Sequence, residues 1–127
     1  MKPQLQLLQK KHNLGYYGET LATSYLETHG YTIIIRNFKA RYGEIDIIAK
    51  KDGILVFVEV KTRIGEKFGK PEEAVSPRKL HEVVITSAYY AMLHDLSNAS
   101  MRVDLIAIAL YEDRTVKYLK HLENITS

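Results

Sequence analysis

The dipeptide Asp52-Gly53 stands between two segments, Gly43 to Lys50 and Ile54 to Lys61, that are both rich in β-branched residues. Asp-Gly tolerates the positive φ angles of a two-residue hairpin turn, and strand-forming flanks complete the signal. With that turn Lys51 pairs with Ile54, and each step back along one strand matches a step forward on the other. Asp46 is then expected opposite Glu59, and Glu44 opposite Lys61. Side chains alternate with a period of two, so these four would share a face with Ile48 and Phe57. The other face, with Ile54, Val56, Val58 and Val60, reads as core. An apolar floor thus leads into a charged cluster at one end.

Two carboxylates facing each other across a ladder, roughly 5 Å apart at Cβ, repel and weaken the sheet. Three resolutions are open. One carboxyl can hold a proton, Lys61 can neutralise the pair, or a divalent cation can sit between them. Mg²⁺ suits the last, because it takes oxygen ligands and uses one or two carboxylates with waters and substrate phosphate. The histidines, His12, His29, His81, His94 and His121, are scattered along the chain and are expected at the surface. The competing reading is a network of exposed strand charges. Against it stand the apolar character of the rest of the strand, the carboxylate that the turn places opposite, and the adjacent Thr62-Arg63.

The remaining chain reads as alternating helices and strands. Leu14 to His29 is expected to be a helix, with Leu14, Leu21, Ala22, Tyr25 and Leu26 on one stripe, Glu19 at its edge and Gly30 closing it. Tyr31 to Asn37 reads as a strand. Thr62 to Ser76, with Gly65, Gly69 and Pro71, reads as a long loop. Ser76-Pro77 opens a second helix running to about His94 and burying Leu80, Val84, Ser87, Ala88 and Ala91. Met101 to Tyr111 is nearly continuous in apolar residues, as for a strand covered on both faces, and a short strand is expected near Thr115 to Lys120. The order α-β-β-β-α-β-β implies a mixed sheet with helices on its faces.

The 127 residues fit one domain, with residues 1–13 as an N-terminal extension. The absence of cysteine excludes disulfides and thiolate zinc sites. Neither a signal-peptide core nor an apolar run long enough for a bilayer is present, so a cytoplasmic location without membrane association is expected. No Gly-rich phosphate loop follows a strand, which argues against a nucleotide-cofactor enzyme. A net charge of +3 permits a nucleic-acid partner without requiring one.

Asp46 followed, across a hairpin, by Glu59-Val60-Lys61 resembles the Asp…Glu-x-Lys signature of the restriction-endonuclease-like, or PD-(D/E)xK, nucleases. More narrowly, the chain is similar to the YraN-like family of small bacterial proteins. That resemblance rests on Gly18-Glu19, Tyr25-Leu26, Gly30-Tyr31, Asn37, Gly43-Glu44-Ile45-Asp46, Phe57 to Arg63, Pro71 to Val75, Lys79 and Arg102-Val103-Asp104. It spans Gly15 to about Ile108. Ile45 stands where the superfamily's name has proline. The family is in turn similar to archaeal Holliday-junction resolvases, which carry a glutamate on the first helix.

The resemblance implies a three-layer α/β/α restriction-endonuclease-like fold and metal-dependent hydrolysis of phosphodiester bonds in DNA, branched DNA among the candidates. Asp46 and Glu59 would bind Mg²⁺ or Mn²⁺ with the Val60 carbonyl, and Glu19, a third acidic group over the hairpin, would hold a metal-bound water or a second ion. Lys61 would act on the attacking water and on the phosphate, where charge accumulates. Arg63 and Lys79 are candidate phosphate contacts, and Asp104 a structural carboxylate paired with Arg102. Tyr16-Tyr17 and Tyr89-Tyr90 read as packing and interface residues, and a homodimer is carried as a candidate assembly. The alternatives are a non-catalytic nucleic-acid-binding module that keeps the fold, and a protein-interaction scaffold with an incidental carboxylate cluster.

Overall fold

Alternating apolar strands and two capped amphipathic helices build three layers. The computed structural model describes residues 13–126, so the expected N-terminal extension lies, Asn13 apart, outside the described residues. In chain order the elements are α1 (Leu14–Thr28), β1 (Thr32–Ala40), β2 (Gly43–Lys51), β3 (Ile54–Ile64), a 3₁₀ turn (Pro71–Glu73), α2 (Pro77–Leu93), β4 (Met101–Leu110) and β5 (Val116–Leu122). The five strands form one sheet in sequential order. Only β3 and β4 run parallel, because α2 carries the chain back between them; the other neighbours are antiparallel. The α/β/α architecture and the element order expected from the sequence are those observed. No helix among the described residues is long and apolar enough to cross a membrane.

Each helix is started by a side chain that satisfies an otherwise orphaned amide. Asn13 accepts from the Tyr16 N–H at 2.9 Å, and Ser76 accepts from the Lys79 N–H at 3.1 Å with Pro77 in the first helical position. α1 covers one sheet face, packing Ala22 and Leu26 onto Ile47, Ala49, Val56, Val58 and Ile106. α2 covers the other, packing Val83 and Tyr90 onto Ile45, Ile48, Leu55, Phe57 and Val103. α1 approaches the sheet closely at Gly18, where a Cβ would collide with the Thr62 hydroxyl of β3.

The buried stripe of α2 differs from the expected one. Val83, Thr86, Ser87, Tyr90 and Ala91 face inward, whereas Val84 and Ala88 are exposed. α2 is apolar around much of its circumference, so two stripes compete. The stripe that buries the Tyr90 ring edge-on to Phe38 and Phe57, at 5.2 and 5.9 Å between centroids, prevails. β1 extends beyond Asn37 to Ala40, and β3 beyond Lys61 to Ile64, shortening the loop.

The hairpin register is the one that Asp52-Gly53 dictates, from Lys51↔Ile54 to Ile47↔Val58. There the ladder stops, one pair short of Asp46 and Glu59, which is a correction to the expected pairing. The alternation of faces stops with it. Ile47 packs under α1, but Ile45 packs under α2 together with Ile48. The expected common face of Glu44, Asp46 and Ile48 is therefore not formed, because β2 turns over at Asp46.

Candidate functional site

Where the β2–β3 ladder ends, the Asp46 carboxylate takes over as acceptor. Its Oδ2 receives the main-chain N–H of Val60 at 2.8 Å. The side chain thus lies at the seam between the two strands, within hydrogen-bonding reach of the Glu59 carboxyl. Glu59 is only 3% exposed, and its Oε1 is buried without a partner. Its Oε2 lies 3.5 Å from the Lys61 ammonium, which emerges on the same face two residues along. Lys79, in the first turn of α2, adds positive charge close to both carboxyls.

Glu19 projects from α1 beside this seam, with Arg36 at 3.8 Å and the Asn37 carboxamide within hydrogen-bonding reach. It is near enough to Asp46 for the two charges to repel. Glu44, expected opposite Lys61, instead pairs with Lys39 at 3.9 Å. Arg63 follows Lys61 along β3; its Nη1 donates to the Thr62 carbonyl at 3.2 Å, and its Nε is buried without a partner. The Thr62 hydroxyl points away from this cluster, toward Gly18.

The electrostatics follow from burial and crowding. Glu59 is pushed up to about 7, first by desolvation and then by the Asp46 charge, with Lys79 and Lys61 offsetting only part of this. Burial also raises Asp46, against the opposing donation from Val60. Glu19 is raised by burial and then by Asp46. The site therefore holds more carboxylate than its lysines neutralise. A partnerless buried carboxylate oxygen beside a second carboxylate is an all-oxygen donor pair of the kind that hard divalent cations take. Among the described residues no group of three or more His, Asp or Glu side chains is placed to hold a metal ion, so Glu19 does not complete a three-carboxylate set with Asp46 and Glu59. A two-carboxylate site suits only an ion that keeps several of its waters.

A second polar cluster sits under α1 at the β4–β5 border. Asp104, fully buried, receives Arg102 Nε at 3.0 Å, His121 Nε2 at 2.7 Å and the Asn124 N–H at 3.0 Å. These donors hold its pKa low against the upward push of burial. The expected Asp104–Arg102 pair is present. The expectation of a surface His121 is overturned, because its other ring nitrogen meets the Tyr25 hydroxyl at 3.2 Å and the side chain is enclosed.

Residues 18–108 match the model of a family described as "Uncharacterised protein family UPF0102". The chain belongs to this family. A UPF0102 protein of Clostridium perfringens is 41% identical over 117 residues, covering 91% of this chain and 96% of the relative. Another from Syntrophomonas wolfei is 43% identical over 111 residues, covering 87% and 95%. A third, from Chlorobium phaeobacteroides, is 45% identical over 97 residues, covering 76% of each. The segment matched to UPF0102 contains Glu19, Asn37, Asp46, Glu59, Lys61, Arg63 and Lys79. Asn37 and Gly18 were not singled out as parts of the site by their chemistry. Asn37 is the one carboxamide in β1, and Gly18 is a glycine inside a helix beside an acidic residue.

Proposed function

We propose that this UPF0102 protein is a divalent-cation-dependent nuclease of the restriction-endonuclease-like type that hydrolyses phosphodiester bonds in DNA. The observation that carries this reading is the Asp46–Glu59 carboxyl pair, Asp46 half-buried and Glu59 buried, with one Glu59 oxygen unpartnered and Lys61 beside it. Asp46, Glu59 and the Val60 carbonyl would hold Mg²⁺ or Mn²⁺. Once bound, such an ion supplies Lewis acidity toward water and a phosphate oxygen.

The chain's own groups account for the rest. Val60 donates to one Asp46 oxygen and so fixes the carboxylate's orientation. Lys61, partly exposed at the seam, would orient or deprotonate the attacking water and stabilise negative charge growing on the phosphate. Glu19 would hold a water at the α1 side. Lys79 and Arg63 would contact flanking phosphates, so binding would be insensitive to sequence and steeply dependent on salt.

The test is a cleavage screen over branched and linear DNAs with Mg²⁺ or Mn²⁺, alongside Lys61→Ala, Lys61→Arg and Asp46→Ala. Lys61→Ala should lose most cleavage while keeping cation binding, because an ammonium is not a ligand; Asp46→Ala should lose both. Lys61→Arg keeps the charge but cannot accept a proton, so its activity separates proton transfer from electrostatics. DNA binding by the wild type with no cleavage of any substrate would establish the non-catalytic module instead.

A further inference from the structure

In both β1 and β2 the alternation of faces breaks, and it breaks at residues that face each other. Arg36 lies on the α1 side, against Glu19, Thr20 and Tyr16, whereas Phe38 lies on the α2 side against Tyr90. Across the ladder, Ile47 lies on the α1 side and Ile45 on the α2 side. Pairing holds on either side of the break, Arg36↔Ile47 and Phe38↔Ile45, without a shift of register. The residues between are Asn37 and Asp46. Asn37 has φ of 56°, left-handed backbone that a strand residue does not adopt and that asparagine tolerates better than other side chains.

We infer that Asn37 is a positioning residue of the carboxylate site: its left-handed backbone turns β1 and β2 over together, which sends Asp46 into the β2–β3 seam. A regular β1 would keep β2 regular beside it, and Asp46 would stay on the α2 face with Ile48. It would then lose its line to the Val60 N–H. The inference rests on the cation-site reading only for its functional consequence, since the Asp46–Val60 geometry stands independently.

The experiment separates the backbone of Asn37 from its side chain. Asn37→Gly keeps the left-handed backbone and removes the carboxamide. Asn37→Val opposes that backbone, and Asn37→Ala opposes it with less steric cost should the valine variant fold poorly. Two readouts are taken on metal-free protein and on Mn²⁺ titration: hydrogen exchange at the Val60 amide, with Val56 as internal reference, and Mn²⁺ affinity. Asn37→Val and Asn37→Ala should speed Val60 exchange by about 10-fold or more relative to Val56. They should also weaken Mn²⁺ by about 10-fold, the usual scale for losing a group that orients a ligand. Asn37→Gly should preserve both Val60 protection and Mn²⁺ affinity. Unchanged Val60 exchange in both the valine and alanine variants would overturn the inference, as would loss of protection in the glycine variant. If the wild type binds no Mn²⁺, the cation-site reading falls, and Val60 exchange still decides the role of Asn37.

Discussion

Asp46 caps the main-chain N–H of Val60 at 2.8 Å, so a single side chain terminates the β2–β3 ladder and sets the position of the residue following Glu59. The proposed cation ligand and the structural acceptor are the same group. The two duties can be separated. In chelator, Asp46→Ala leaves the Val60 amide without its acceptor, whereas Asp46→Asn retains a carbonyl oxygen and removes the charge facing Glu59. The asparagine variant should be as stable as the wild type or firmer. The alanine variant should lie about 1–3 kcal/mol below the asparagine variant, the usual cost of an unmet buried donor. Urea unfolding of the three proteins measures the difference; equal stability of the two variants would show that the cap contributes nothing.

A pH profile should show two opposed windows. The folded-state pKa of Glu59 is raised to about 7, so the native state holds a proton there that the unfolded chain has already released. Its contribution is complete below about pH 4.5 and is lost as pH rises toward 7. Asp46 and Glu19 act in the same direction. Glu72 is the reverse case: hydrogen bonds from Lys120 and Tyr118 lower it to about 2, so its contribution is present above about pH 4.5 and lost as pH falls toward 2. Metal-free stability should therefore peak near about pH 5. Glu59→Gln should flatten the fall above the peak and leave the acid limb in place, as followed by thermal unfolding across pH.

Gly18→Ala tests the contact between α1 and β3. Alanine improves helix propensity by about 1 kcal/mol, but the added carbon meets the Thr62 hydroxyl in a close-packed layer, which typically costs about 1–3 kcal/mol. A net loss is expected. Thr62→Ala in the same chain should recover much of it. Urea midpoints for the single and double variants decide this, and an additive double variant would rule out the contact as the cause.

Asp104→Ala removes the acceptor shared by Arg102, His121 and the Asn124 N–H, and with it the buried carboxylate that neutralises Arg102. The loss should reach about 3–5 kcal/mol, as for a broken buried ion pair. Asp104 pairs with Val58, next to Glu59, but its carboxylate lies on the α1 side of the sheet with Arg102 and His121, so cation affinity of the folded protein should be nearly unchanged. Calorimetric titration with Mn²⁺ at low temperature checks the second half.

The course of the chain and most of the site could be read from local chemistry. Asp52-Gly53 determined the hairpin register, and two-residue alternation put Glu59 and Lys61 on one face, where they lie. What failed was the extension of the same alternation through β2. It assumed a regular strand, and regularity ends at Asp46 because of Asn37, a residue on another strand whose backbone angle no local pattern reveals. The α2 stripe was ambiguous for a different reason: apolar residues nearly surround that helix, and the choice between stripes depended on how Tyr90 meets Phe38 and Phe57. His121 was misplaced because its partners, Asp104 and Tyr25, are remote in sequence.

The turnover at Asn37 also bears on how the folded chain meets its own copies. Among the described residues β1 is an outer strand, with a neighbouring strand on one side only. Uninterrupted, it would offer a nine-residue edge with exposed Ile34 and Ile35, a template for another molecule's strand. A bulge between Ile33 and Ile35 and the left-handed residue at 37 divide that edge into short runs that do not lie in one line. A foreign strand laid against it finds only a few donors and acceptors in register before the direction changes. The backbone that directs Asp46 into the seam thus also guards the sheet's border against fibrous growth.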